Sequence, residues 1–317
     1  MINKKNILRG YTYSYEEGRK ARDSCRLLTL RIETSLVCNM KCRYCAWESG
    51  NALDFEIDFT ELKRCIDDGI SLGIKSVVII GGGEPTIYSH FAELVMYINS
   101  KKLIPVVITN GLTMNYDLAK FLYDNNCSVL LKHDSFHKHV QDYLSGINGA
   151  YSKINDGLNN LISVGYTQDI DDGLRLGLSF VVTKQNIDEI TKIWKYCRNN
   201  NLYPNMELLN PIGRTKYNAD KLIPEQSYVK KIIEEIKKID LNLGFDISNE
   251  PSCLQHLYSM YLNVQGNIQP CGAIRIKEFK YNEYDSLKEC YENSYFSRIR
   301  RIENHLDEDS ELTYFRI

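Results

Sequence analysis

Two hydrophobic patterns alternate along the chain. Short runs rich in apolar and β-branched residues, such as LLTLRIET (27–34) and SVVII (76–80), read as strands, and the second is continuous enough to suit one covered on both sides. Between them, apolar residues recur every three or four positions, the period of an amphipathic helix. In DFTELKRCIDDGISLG (58–73), Asp58 and Glu61 make a capping-box-like start. Leu62, Cys65, Ile66 and Ile70 share a face there, and Gly73 can end the helix. HFAELVMYI (90–98) puts Phe91, Leu94, Val95 and Ile98 on one stripe. Further strands are predicted near 105–109, 128–132, 176–182 and 205–209, and helices near 116–124, 150–163 and 187–200.

Six strands alternating with helices imply an α/β fold with a parallel sheet and right-handed crossovers. Six units fall short of the eight of a closed TIM barrel, so an open partial barrel and a doubly wound sheet both fit. Either places ligand chemistry in the loops after the strands' C-terminal ends. PEQSYVKKIIEEIKKID (224–240) reads as an amphipathic helix, and the alternation fades after it. The expected division is a lead segment (1–26), a barrel core (27–215) and a smaller α+β module (216–317).

Composition narrows the classes. Of 317 residues, 43% are hydrophobic, enough for a sizeable core. Charged residues make up 25% and the net charge is −2, so there is no basic field to attract nucleic acid. No apolar run approaches the ~20 residues of a membrane span. MINKKNILRGYTYSYEEGRK, at the N-terminus, lacks a signal peptide's apolar stretch. A cytoplasmic protein without a membrane partner is expected. Ten cysteines in that compartment favour metal or catalytic roles over a disulfide framework, alongside some plain buried thiols.

CNMKCRYC (38–45) puts Cys38, Cys42 and Cys45 in the loop after the first predicted strand. Structural zinc usually takes CxxC-type pairs, and no second such pair follows. A four-iron cluster on three thiolates leaves one iron open to a small molecule. GGGEPT (81–86) directly follows the second strand, and ITNG (108–111) follows the third. Each alone reads as a common turn.

Together these three segments resemble the radical S-adenosylmethionine (SAM) superfamily: C-x3-C-x2-C with an aromatic residue before the third cysteine, a GGEP motif, and a turn after the third strand. The resemblance covers about residues 27–213 and implies a partial (β/α)6 TIM-type barrel. It implies that Cys38, Cys42 and Cys45 hold a [4Fe–4S] cluster, with SAM on the open iron. The turn Gly81, Gly82, Gly83, Glu84 and Pro85 would receive the methionyl amino group, and Asn110 would also bind the cofactor. Glycines let the backbone come close, and their carbonyls and a carboxylate can accept from an ammonium. Tyr44 would lie beside adenine, Asp134 and Ser179 would contact ribose, and MELLNPIGR (206–214) would line the adenine. One-electron cleavage of SAM would then give a 5′-deoxyadenosyl radical that takes a hydrogen atom from a substrate carbon.

PSCLQHLYSMYLNVQGNIQPC (251–271) looks like the opening of a SPASM or twitch domain, which implies a second, auxiliary [4Fe–4S] cluster on Cys253, Cys271 and Cys290. The later CxxC-type pair of such domains is missing, so the fourth ligand is open: Cys25, another residue such as Asp285 or His256, or the substrate; the alternative is a vestigial hairpin that holds no cluster. The same stretch alternates like a hairpin around Gln265-Gly266. In LKHDSFHKH (131–139), His137 and His139 read as solvated residues at a helix start. Lys132, His133 and Asp134 are candidates to point into the barrel mouth and move a proton. Cys65, Cys127 and Cys197 read as inert core thiols.

The reaction class expected is dehydrogenation, dehydration or epimerisation of a carbohydrate-like or other small molecule. About 26 residues precede the first strand, too few for a leader-peptide-binding domain, which tilts the reading away from peptides. The alternatives are a radical SAM maturase of a ribosomally made peptide, a non-catalytic iron–sulfur protein for electron transfer or redox sensing, and a zinc-stabilised binding protein. A reductase such as flavodoxin or ferredoxin is the implied partner.

Overall fold

The structure is a computed structural model and describes residues 6–168, 172–245, 255–270 and 279–292. Its strands are β1 (Thr29–Ser35), β2 (Ser76–Gly82), β3 (Ile104–Thr109), β4 (Ser128–Lys132), β5 (Leu176–Val182), β6 (Tyr203–Leu208), β7 (Ser259–Leu262), β8 (Asn267–Gln269) and β9 (Phe279–Lys280). Its helices are α1 (Tyr15–Asp23), α2 (Phe59–Ser71), α3 (Phe91–Ser100), α4 (Tyr116–Asp124), α5 (Lys138–Ser145), α6 (Ala150–Ser163), α7 (Ile190–Asn199), α8 (Ala219–Leu222), α9 (Gln226–Asn242), α10 (Gln255–Tyr258) and α11 (Leu287–Glu292). β1 to β6 pair in parallel and in sequence order, as a partial (β/α)6 barrel requires.

Strand alternation separates two apolar layers. Val77, Ile79, Val107, Val129 and Leu131 join the core shared with the helices. Val78, Val106 and Leu130 point the other way, into the barrel, where they meet Leu8 and Tyr11. α2 begins as its sequence predicts, with Asp58 Oδ1 accepting from Glu61 N at 2.9 Å. Leu62, Cys65 and Ile66 are buried, but Ile70 is exposed, and Gly69 takes its place against Ile74.

The terminal regions pack onto the barrel. The residues before β1 form a plug and a helix. Leu8 and Tyr11 close the floor of the barrel, and Leu8 pairs with Leu174 ahead of β5. α1 lies on Leu257 and Tyr258 of the C-terminal region. The expected hairpin forms between antiparallel β7 and β8, and Gly266 turns it at φ 78°. β7 also adds in parallel to β1, so the C-terminal strands extend the barrel sheet in the order β6-β5-β4-β3-β2-β1-β7-β8-β9. α9 is tied to α7 by a buried ion pair. Arg198 donates to both oxygens of Asp240 at 2.9 and 2.8 Å, and Trp194 Nε1 adds a bond at 2.7 Å. Among the described residues no helix is long and apolar enough to cross a membrane.

Candidate active site

The cysteine loop leaves β1 at the C-terminal end of the barrel and is held from three sides. The GGGEP turn holds the first side: Gly83 N donates to Ser35 O at 2.7 Å and Glu84 N to Val37 O at 2.9 Å. A Cβ on Gly83 would overlap the Val37 carbonyl, so close backbone contact with the loop explains that glycine. α5 holds the second side, where Lys41 N and Arg43 N donate to Ser145 O and Leu144 O at 3.1 and 2.9 Å.

The segment after β6 holds the third. Arg214 N reaches Cys45 O at 2.8 Å, its guanidinium donates to the carbonyls of Cys42 and Ser49, and Thr215 Oγ1 donates to Tyr44 O at 3.0 Å. Gly213, at φ 52°, passes so close that a Cβ would overlap the carbonyls of Cys45 and Ala46. Ser49 completes the frame. Its hydroxyl lies 3.4 Å from Cys45 Sγ and donates to Gly82 O. Sequence reasoning missed Ser49, Gly213 and Arg214 as loop anchors; only the GR of NPIGR hinted at the last two.

Cys38, Cys42 and Cys45 are each partly buried. Burial pushes the Cys38 and Cys42 thiols up, and a neighbouring cysteine thiolate would raise each further. The three therefore lie within electrostatic reach of one another. Among the described residues no three His, Cys, Asp or Glu side chains converge tightly enough to hold a single metal ion. Three soft sulfur donors spread along one anchored loop fit a larger iron–sulfur group.

Glu84 is 4% exposed, and four donors surround its carboxylate: Thr86 N, Thr86 Oγ1 and Thr109 Oγ1 on one oxygen, and Asn110 N on the other at 2.8 Å. Burial raises its pKa while these bonds oppose the shift. The expected free acceptors are thus largely engaged: Gly82 O by Ser49 and Glu84 by the ends of β2 and β3. Room for a further donor remains on Oε2, which has one partner among the described contacts. Asn110 Nδ2 donates to Asn39 Oδ1 at 2.7 Å, joining the third-strand turn to the cysteine loop.

At the barrel mouth, Tyr44 OH donates to Asp134 Oδ2 at 2.5 Å, and Val181 N donates to Asp134 Oδ1 at 2.9 Å. Tyr44 packs with Val140, Leu144, Leu222 and Leu209, the last within the segment expected beside adenine. Ser179 Oγ donates to Glu207 Oε1 at 2.5 Å, and Lys132 Nζ lies 3.3 Å from Ser179 Oγ and 3.5 Å from Glu207. Burial alone would lower the pKa of Lys132, but the charges of Glu207 and Asp134 outweigh it. Asn205 bonds both Ser179 and Glu207 at 3.1 Å. Asn205 was not foreseen, and Glu207, though within the segment expected beside adenine, was not foreseen as a partner of Lys132, since only the register of three strands brings them together.

His133 departs from expectation. It lies on the opposite face of the chain from Lys132 and Asp134, with its ring 3.3 Å from Asn155 Oδ1 of α6 and edge-on to Phe136 and Tyr151. Strand alternation turns it away from the barrel mouth. His137 and His139 are exposed at the start of α5, as read from the sequence.

Cys253 and Cys271 lie outside the described residues. Cys290, on α11, is fully buried in the core; burial raises the pKa of Cys65 on α2, and charge on Asp68 or Cys290 would raise it further. Cys65, Cys127 and Cys197 are buried as expected. Cys25 is exposed beyond α1, and Asp285 O accepts from Arg64 at 3.2 Å.

A partial barrel with three anchored cysteines after its first strand defines a class. Residues 32–197, just over half of the chain, match the radical SAM superfamily, and the chain belongs to it. Members use a [4Fe–4S] cluster and SAM. The Fe-coproporphyrin III synthase of Methanosarcina barkeri is 30% identical over 159 residues, 50% of this chain and 37% of that protein. The mycofactocin maturase MftC of Mycolicibacterium smegmatis is 27% identical over 208 residues, 65% of this chain and 51% of that one. The chain thus spans about half or less of these relatives' lengths. Streptococcus suis SuiB bound to SAM superposes with a TM-score of 0.68 at 19% identity, covering 87% of this chain and 68% of that one. For anSMEcpe bound to SAM and a peptide the TM-score is 0.64 at 18% identity, with 86% and 82% covered. Both likenesses concern the fold and extend beyond the six barrel strands.

Proposed function

We propose that the chain cleaves SAM reductively and removes a hydrogen atom from a carbon of a peptide substrate. The observation that carries the first part is the three-sided anchoring of Cys38, Cys42 and Cys45 over the barrel mouth, against the GGGEP turn. The cluster and SAM would supply the electron and the carbon radical. Cys38, Cys42 and Cys45 would ligate the cluster. The GGGEP turn, Glu84 Oε2 and Asn110 would orient the methionyl end. Tyr44, Asp134, Ser179 and residues 206–214 would hold the nucleoside. The Lys132–Glu207 pair, beside Ser179 and Asn205, would hydrogen-bond the substrate and move a proton where the reaction needs one. Cys253, Cys271 and Cys290 remain the candidate ligands of an auxiliary cluster. A cytoplasmic setting, which keeps thiols reduced, suits all of these roles.

The peptide alternative gains support over the carbohydrate-like substrate favoured by the sequence reading. No relative described above is named for a carbohydrate. One is a mycofactocin maturase, and SuiB has been solved with its precursor peptide SuiA. The deciding experiment follows 5′-deoxyadenosine by mass spectrometry after anaerobic reconstitution and dithionite reduction with SAM. Release by the wild type, lost in the Cys38/Cys42/Cys45 triple alanine variant, supports the reading. Iron-loaded protein that neither releases 5′-deoxyadenosine nor shows a SAM-dependent change in its cluster EPR signal overturns it. Candidate precursor peptides and small molecules are then compared by the hydrogen lost from each.

A further inference from the structure

Leu8, Tyr11, Val78, Val106 and Leu130 make the barrel floor apolar, yet one cation sits among them. On β1, Leu30 and Ile32 join the core shared with the helices, so alternation turns Arg31 and Glu33 to the barrel interior. Arg31 pairs in register with Val78 of β2 and Tyr261 of β7, and its guanidinium lies over the Tyr11 ring at 5.2 Å. It therefore stands on the floor that Leu8 and Tyr11 close. Only 3% of the residue is exposed, and Nη1 has no hydrogen-bond partner among the described residues.

The surroundings answer this charge only in part. Tyr11, Tyr258 and Tyr261 lie within electrostatic reach, and all three are phenols. Glu33, two residues on, gives its oxygens to Tyr261 OH and Val264 N. The Tyr11 ring offsets some of the charge. A buried cation with an unmade hydrogen bond is still costly, and an apolar side chain of similar length would fill the space without that cost. Toward the C-terminal ends of the strands, Ile80 and Ile108 are partly exposed above the floor. Lys132, two residues past Leu130 and so on the same face, is paired with Glu207 at 3.5 Å. The interior thus has a paired charge at its mouth, an apolar wall, and an under-bonded cation at its base.

We propose that Arg31 forms an anion subsite at the base of the barrel interior, which takes a carboxylate of the peptide substrate. This rests on the function proposed above and narrows its substrate to peptides with an acidic side chain or a free C-terminal carboxylate near the reacting residue. A planar guanidinium can meet a carboxylate with two N–H groups, which an ammonium cannot. The cysteine loop lies at the opposite end of the strands from Arg31. A carboxylate held at Arg31 therefore fixes how far the substrate enters and selects the carbon that it presents.

The test uses the anaerobically reconstituted protein with SAM and three tripeptide probes. Acetyl-Gly-Glu-Gly-amide carries a side-chain carboxylate, acetyl-Gly-Gly-Gly a C-terminal one, and acetyl-Gly-Gln-Gly-amide none. Dissociation constants are measured by titration calorimetry. At least one acidic probe should bind the wild type about tenfold or more tightly than the neutral probe. The tighter of the two acidic probes tells side chain from chain end. The preference should survive about 0.5 M salt, because a buried pair is little screened. Arg31→Met should abolish it. Arg31→Lys, which keeps the charge but not the fork, should weaken acidic-probe binding about threefold or more. Circular dichroism checks that each variant folds, and Arg31→Lys decides if Arg31→Met does not. Equal binding of all three probes, a preference lost in salt, or a preference undiminished in the folded variants overturns the proposal. The readout is binding alone. Absence of 5′-deoxyadenosine release would count against the proposed function and leave the affinity result to stand separately.

Discussion

Tyr261 of the C-terminal hairpin donates its hydroxyl to the buried carboxylate of Glu33 on the first barrel strand. The other Glu33 oxygen accepts from Val264 N at 2.9 Å, and Trp47, two residues past the third cysteine, bonds Tyr261. The Glu33 carboxylate thus joins the barrel to the C-terminal strands, and Tyr261 carries the link on to the cysteine loop. Glu33→Ala removes the acceptor for two buried donors and should cost about 2–4 kcal/mol. Tyr261→Phe should cost less, about 1 kcal/mol. Denaturant titration checks the order; equal, negligible losses would show that β7 is held by strand pairing alone.

Gly213→Ala should loosen the cysteine loop without unfolding the protein. The added Cβ would press on the carbonyls of Cys45 and Ala46 from a backbone at φ 52°. The expected result is at least a tenfold drop in SAM affinity for the reconstituted protein, read by equilibrium binding. Gly149→Ala is the comparison. It also has a positive φ, 82°, but nothing lies within 4 Å of its Cβ. It should show only the strain cost, about 1–2 kcal/mol, with SAM affinity kept.

Cys38→Ala should abolish SAM cleavage and lower the iron retained after reconstitution. Cys65→Ala should keep both and lose about 1–2 kcal/mol of stability from its buried site. Turnover by Cys38→Ala at the wild-type rate would sink the ligand assignment.

Acid should weaken the fold partly through His133. Burial lowers its pKa below the ordinary value, and the bond to Asn155 only partly compensates. As pH falls below about 6.5, the unfolded chain takes up this proton before the folded one, so stability declines by up to about 1.4 kcal/mol per pH unit until the folded pKa is reached. His133→Phe, beside Phe136 and Tyr151, removes that contribution. Its melting temperature should drop less than the wild type's between pH 7 and pH 5.5. Parallel curves would mean that His133 is not the group responsible.

The barrel was legible because strands such as β2 and β5 are short apolar runs buried along most of their length, and the helices between them carry apolar stripes. The Cys, GGGEP and ITNG turns were legible because close backbone contact demands particular residues. What local pattern could not reveal was pairing across distance. Nothing in SMYL (259–262) announces that it will lie beside β1 some 230 residues away. Leu8 and Tyr11 look like any apolar pair until the barrel floor receives them. Glu207 becomes a partner of Lys132 only through the register Lys132↔Ser179 and Val181↔Glu207 across β4, β5 and β6. His133 was misread because it was grouped with its sequence neighbours when adjacent residues leaving a strand face opposite ways.

The Leu8–Tyr11 plug makes the barrel a well rather than a tunnel. Molecules cannot pass through it, so arrivals and departures have to queue at the open top or flank. Whatever sits deepest must come in first and go out last. In such a vessel the order of binding is set by depth before any affinity is considered, and a reactive species formed near the rim has a closed floor beneath it.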